Sequence, residues 1–182
     1  MSIPFTYDRM AERFTRVRPW AKQVLGAETN RCAVCMGYTL QLTPAKAEGN
    51  ATLMDIPGKE EDLKRASRIA GGPSGTDYPD LFFARASDLL PIVQRAFGPA
   101  DVEGVGRDIW PQVHGRRGVL YIENCYPTAG DKILKARTFG VVTRTSGDHW
   151  DLFDGAIMVA QEDPVRGTAH PDKMFFWQAR GG

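Results

Sequence analysis

The stretch Gly147-Asp148-His149-Trp150-Asp151-Leu152-Phe153-Asp154-Gly155 decides how this chain folds. His149 to Phe153 reads as a strand, and Asp154-Gly155 is a strong hairpin-turn signal. A strand followed by a two-residue turn predicts a return strand over Ala156–Gln161. Working outward, Gly118–Glu123, Phe139–Thr145 and Met174–Gln178 read as further strands. The Gly/Pro/Lys stretch 124–138 between two of them reads as a long loop, functional or mobile. Upstream the period changes. Phe5, Met10, Phe14 and Val17 recur at helical spacing over 5–17, and Pro19-Trp20 is expected to end that helix. A second helix fits 31–41, capped by Thr29 or Asn30, with Cys32, Cys35, Met36 and Leu40 near one stripe. Lys59–Ala70 reads as a charged surface helix that stops at Gly71-Gly72-Pro73-Ser74-Gly75, where a loop begins. Residues 87–97 read as a helix with Ser87 as cap and Gly98 as stop. Helices first and antiparallel strands afterwards argue for the α+β class. The expectation is one domain over 1–182, with a helical subregion 1–98 and a sheet subregion 115–178.

Composition narrows the function classes. Lys plus Arg total 23 and Asp plus Glu 22, a net charge of +1, so the chain has no broad electrostatic footprint for nucleic acid or an anionic membrane. No apolar run approaches the ~18 residues of a membrane span. Met1–Phe14 carries acidic residues and no apolar central region, so it is not read as a secretory signal; the expectation is a chain made in the cytoplasm. Three cysteines cannot all pair with one another, which excludes a disulfide scaffold.

Two segments carry chemistry. The first is Asn30-Arg31-Cys32-Ala33-Val34-Cys35-Met36-Gly37. A cysteine in the first turn of a helix sits at the positive end of the macrodipole, beside amides that no helical carbonyl claims. Both favour thiolate, and the same amides suit an oxyanion. The second is the opening stretch, where His149 sits on a strand leading into a turn. A histidine on a sheet facing a cysteine at a helix start is the arrangement of a thiol hydrolase. Cys32 and Cys35 also form a C-x-x-C, which suggests redox or zinc chemistry. No strand precedes it as in thioredoxin-like folds, and zinc would need further ligands from Cys125 and one of His114, His149 or His170.

The string Asn30-x-Cys32-Ala33-x-x-Met36-Gly37-x-x-Leu40 resembles the nucleophile helix of the fourth family of type VI secretion amidase effectors, Asn-x-Cys-Ala-x-Arg-Met-Ser with a later Leu. Gly147–Gly155 is similar to that family's Gly-His-x-x-Leu-Trp-x-Gly strand and turn. Arg85–Phe97 and His114-Gly115-Arg116-Arg117-Gly118-Val119 resemble a helix and a strand entry that lie between them, in the same order. The resemblance implies a papain-like cysteine amidase related to NlpC/P60 proteins, its nucleophile helix packed on an antiparallel sheet. It implies cleavage between D-glutamate and meso-diaminopimelate in peptidoglycan stem peptides, in the periplasm of a target cell. It also implies delivery by the type VI machinery and a cognate immunity protein as partner. No cofactor or metal is implied, and neither nucleic acid nor membrane is expected as a partner.

By position, Cys32 becomes the nucleophile and His149 the general base. The chain departs from the family at Cys35, where the family has Arg, and at Gly37, where it has Ser. The third group stays open. The family places an Asp on the return strand, but a two-residue turn puts Ala160 opposite His149, and a one-residue bulge puts Gln161 there. Asp151 shares a strand face with His149, and Asp163 lies further on. Trp150 should point to the opposite sheet face, Trp110 and Tyr126 could line a groove, and Arg116 and Arg117 could meet an acidic stem peptide. The rival readings are a related cysteine hydrolase or acyltransferase on another substrate, and a non-catalytic C-x-x-C metal or redox module.

Overall fold

Strand β1 (Ile3–Thr6) runs directly into helix α1 (Tyr7–Leu25) in the computed structural model. The residues described are 3–25, 31–42, 66–68, 81–83, 85–126, 129–139, 147–160 and 173–182. The helix starts two residues later than the spacing suggests and does not end at Pro19. Its buried stripe of Tyr7, Met10, Phe14 and Val17 continues through Trp20 and Ala21. A proline inside a helix costs about 3 kcal/mol. Trp20 is buried with its ring tilted 5.1 Å from that of Phe82. Burying about 200 Å² of indole contributes roughly 5 kcal/mol, so packing outweighs the break.

Helix α2 (Cys32–Thr39) is buried on every side. That is why its apolar residues make no one-sided stripe. Its N-cap is Arg31, without a side-chain cap bond, and both proposed caps, Thr29 and Asn30, lie outside the described residues. The helix closes where Leu42 N donates to Gly37 O at 2.8 Å. Strands β2 (Ala66–Arg68) and β3 (Leu81–Phe83) pair antiparallel, Ser67 opposite Phe82. The described part of the expected 59–70 helix is therefore strand; the rest of that segment and the glycine-rich break lie outside the described residues. Helix α3 (Ala86–Phe97) buries Leu89, Ile92, Val93 and Phe97 and stops at Gly98 as expected, but its N-cap is Arg85 with no side-chain cap bond, so Ser87 lies inside the first turn instead of capping it.

The chain divides into two units, Met1–Pro99 with Gly181, and Ala100–Arg180 with Gly182. The second unit holds β4 (Val102–Gly104), a 3₁₀ turn (Gly106–Ile109), α4 (Trp110–Val113), β5 (Gly118–Tyr126), α5 (Ala129–Arg137), β6 (Gly147–Phe153) and β7 (Met174–Arg180). Within it β4, β7, β5 and β6 hydrogen-bond in that order, each pair antiparallel. The whole is a mixed α+β fold. Both sheet faces are buried. One is aromatic: Tyr121 lies 4.7 Å from Trp150, and Trp150 stacks 5.7 Å from Trp177. Trp150 thus occupies the face expected for it. The other face gathers Leu120, Ile122, Phe153, Met174 and Phe176 with Ile109, Val113 and Met158.

Three expectations fail here. Residues 124–138 are not a loop: β5 runs to Tyr126 and α5 fills Ala129–Arg137. Cys125 is therefore a buried strand residue, its Sγ donating to Ile122 O at 3.7 Å. Phe139, expected to open a strand, stands in the turn after α5 with φ 50°; 140–146 lie outside the described residues. Asp154-Gly155 is not a two-residue turn. Phe153 bridges Met158, and Asp154 Oδ1 accepts from Ala156 N and Ile157 N, both at 2.8 Å. The turn thus spans 154–157, and no return strand forms among the described residues.

Gly118 is where the sheet is tightest. It pairs with Phe153 on one side and Gln178 on the other. A Cβ there would overlap the Trp177 carbonyl oxygen and lie 2.8 Å from the Phe176 ring. Because both obstacles sit in the sheet core, Gly118→Ala is expected to cost about 3 kcal/mol. Calorimetry should show the melting point lowered by roughly 6–12 °C.

Candidate active site

His149 and Asp151 lie two apart on β6, so they share a face. Register places Ile122 opposite His149 and Leu120 opposite Asp151. Both polar side chains therefore enter the apolar layer, where His149 is 5% exposed and Asp151 0%. His149 Nε2 lies 3.4 Å from Asp151 Oδ2, a long hydrogen bond. A carboxylate in such a layer costs several kcal/mol unless its oxygens are satisfied. Here they are. Leu152 N donates to Oδ1 at 2.8 Å, and Ala160 N donates to both oxygens, at 3.1 and 3.2 Å.

The longer turn supplies that last donor. A bridge at Phe153 and Met158, with Val159 N bonded to Leu152 O at 2.9 Å, carries Ala160 beside Asp151 instead of His149. The turn is anchored from behind by Gly115 N donating to Gly155 O at 2.7 Å. Gly155 has φ 103°, and a Cβ on it would meet the Gly115 backbone at 3.2 Å, so glycine is required there. His149 thus turns Nε2, rather than Nδ1, toward Asp151. Of the three open candidates for the residue behind His149, Asp151 lies within reach of it. Gln161 and Asp163 lie outside the described residues.

Cys32, in the first unit, is the first residue of α2 and Cys35 the fourth. Cys35 N donates to Arg31 O at 2.9 Å, closing the first turn. The amides of that turn precede the first helical bond, as an oxyanion cradle needs. None of the three cysteines is in a disulfide. Among the described residues no group of three or more His, Cys, Asp or Glu side chains could hold a metal ion.

The expected cleft residues sort differently. Trp110 packs on the core, its ring 5.7 Å from Phe153. Arg116 is engaged within its own unit: its guanidinium donates twice to Gln178 Oε1, at 3.0 and 2.7 Å, and lies 5.2 Å over the Phe176 ring. Sequence reading passed over Arg31. Its Nη1 is buried with no hydrogen-bond partner among the described residues, directly beside Cys32. An always-charged side chain adjoining Cys32 was the signal for it.

The fold is similar to that of type VI effectors. Tae4 from Enterobacter cloacae superposes with a TM-score of 0.61 at 15% identity, covering 98% of this chain and 99% of that one. The type VI effector–immunity complex Tae4–Tai4 from Salmonella Typhimurium gives 0.60 at 13%, covering 96% and 98%. Tae4 from Salmonella typhimurium, in complex with the immunity protein Tai4 from Enterobacter cloacae, gives 0.58 at 14%, covering 96% and 99%. At these identities the likeness is one of fold. No protein-family model and no curated protein sequence matches the chain. Among the described residues no helix is long and apolar enough to cross a membrane.

Proposed function

We propose that this chain is a papain-like, NlpC/P60-type cysteine amidase that cuts peptidoglycan stem peptides between γ-D-glutamate and meso-diaminopimelate. The observation that carries the reading is the buried His149–Asp151 pair, an oriented imidazole where an ordinary core would hold two apolar side chains. The likeness to Tae4 supports it independently. Cys32 is the nucleophile and His149 its base. His149 Nδ1 takes the thiol proton, and the sulfur attacks the γ-carbonyl carbon. The first-turn amides of α2 hold the oxyanion. His149 then returns the proton to the diaminopimelate amine as the C–N bond breaks. Water, deprotonated by the same imidazole, clears the thioester. Asp151 is the positioning residue: it fixes the tautomer and steadies the imidazolium.

The substrate is acidic, and Arg31 is the cation beside the nucleophile. A stem-peptide carboxylate supplies the acceptor that Arg31 Nη1 finds nowhere among the described residues. Arg31→Gln is expected to lower kcat/KM by roughly 10–100-fold, mainly through KM, because a charge-assisted pair to substrate is lost.

The biological setting follows the same likeness. The chain acts as an antibacterial effector, carried by type VI secretion into the periplasm of a target cell. A cognate immunity protein restrains it in the producer, as Tai4 is found with Tae4 in crystals. Digestion of purified sacculi followed by mass spectrometry of the soluble products tests the reaction. Disaccharide dipeptides ending in D-glutamate, with peptides beginning at diaminopimelate, are expected. Intact stems, or cuts at another bond, would overturn the reading.

A further inference from the structure

Cys35 has no part in the mechanism above, yet it is the cysteine nearest in sequence to the nucleophile. We propose that Cys32 and Cys35 form a reversible oxidation site, closing a disulfide across the first turn of α2 when a hydroperoxide reaches the protein. Residues three apart on an α-helix have Cα atoms about 5 Å apart. Disulfides span Cα separations of about 4.4–6.8 Å. Side chains on a helix tilt toward its N-terminus, so the Cys35 thiol leans back over the turn that carries Cys32. That turn is closed by the Cys35 N to Arg31 O bond at 2.9 Å, which keeps the spacing helical. Exposure sets the order of events. Cys32 is 8% exposed and Cys35 4%, so the oxidant meets Cys32 first and the more shielded thiol resolves it.

The chemistry balances with hydrogen peroxide as the oxidant. The Cys32 thiolate attacks one peroxide oxygen; an S–O bond forms, the O–O bond breaks, and hydroxide leaves to be protonated. The Cys32 sulfur is oxidised to sulfenic acid and the peroxide is reduced. The Cys35 sulfur then attacks the sulfenic sulfur. An S–S bond forms, the S–O bond breaks, and water leaves with the Cys35 proton. Two thiols and one peroxide give one disulfide and two waters, and a dithiol reductant reverses the bond by exchange. The consequence for catalysis rests on Cys32 being the nucleophile: the disulfide removes it reversibly and keeps it from irreversible sulfinic acid.

Peptide mass spectrometry of the full chain after peroxide treatment, alkylation of the remaining thiols and trypsin cleavage tests this. The tryptic peptide Cys32–Lys46 holds both cysteines and excludes Cys125. The expected peptide is unalkylated and lighter by two hydrogens, and reduction restores two alkylatable thiols. In Cys35→Ala the same peptide should gain two oxygens at Cys32 and stay so after reduction; fragment ions separate this from sulfoxide at Met36. A wild-type peptide alkylated at both cysteines would overturn the proposal, as would sulfinic acid at Cys32 beside an alkylated Cys35. This readout needs no substrate. Failure to digest sacculi would count against the amidase reading and leave the disulfide standing.

Discussion

Cys32→Ala is expected to abolish stem-peptide cleavage, a loss of at least about 10³-fold in kcat. Every covalent step in the proposed cycle passes through that sulfur. Alanine removes one atom from a helix whose remaining packing is apolar, so folding should survive. Directed to the periplasm of a Gram-negative host, the wild type should lyse cells and the variant should not. Lysis by both would show that toxicity arises elsewhere. Release of soluble muropeptides from sacculi, measured on matched amounts of protein, separates the two cases.

Asp151→Asn has the second largest expected effect, a fall of about 10²–10⁴-fold in kcat with little change in KM. The reasoning is geometric. Leu152 N donates to Oδ1 at 2.8 Å while Ala160 N is shared by both oxygens, so the amide oxygen of Asn is expected to stay on the Oδ1 side. The NH₂ group then takes the place of Oδ2 and faces His149 Nε2. A donor there forces Nε2 to accept and moves the ring proton to Nδ1, the nitrogen that must be bare to act as base. Asn is isosteric, so the melting point should change far less than the rate does. A merely structural Asp151 would give the opposite pattern, a lowered melting point with kcat intact.

The parts of this molecule that were legible in its sequence are those where local pattern and packing agree. Helix α3 has an apolar stripe and a glycine stop, and it forms over nearly the expected residues, although the expected cap Ser87 lies inside it. The alternation along β6 placed Trp150 on one face and His149 with Asp151 on the other, which is where they lie. The pairing of His149 with Asp151 follows from the two-residue period of a strand alone.

Where reading failed, a tertiary or side-chain effect outweighed the local rule. Pro19 does not end α1 because Trp20 has Phe82 to pack against. Helix α5 carries no amphipathic signal: Ile133 and Leu134 are exposed while Asp131 is buried. Its ends are marked only by Asp131 in the first turn and Lys135 and Arg137 in the last. The turn after β6 lengthened because the Asp154 carboxylate accepts from two following amides, an interaction that competes with a two-residue hairpin. That change moved Ala160 from His149 to Asp151. A position that looked like a missing acid in the family pattern thus became the amide donor that makes another acid tenable.

The central claim is that cleavage runs through the sulfur of Cys32. Partial alkylation with iodoacetamide at pH 7 tests it most directly, with two readings taken from each sample. Mass spectrometry of the peptide Cys32–Lys46, with fragment ions to separate Cys32 from Cys35, gives the fraction of Cys32 blocked. Muropeptide release gives the activity that remains. The account predicts that the two fall together, one for one, to no activity when Cys32 is fully alkylated. Undiminished cleavage by protein whose Cys32 is completely blocked would contradict it.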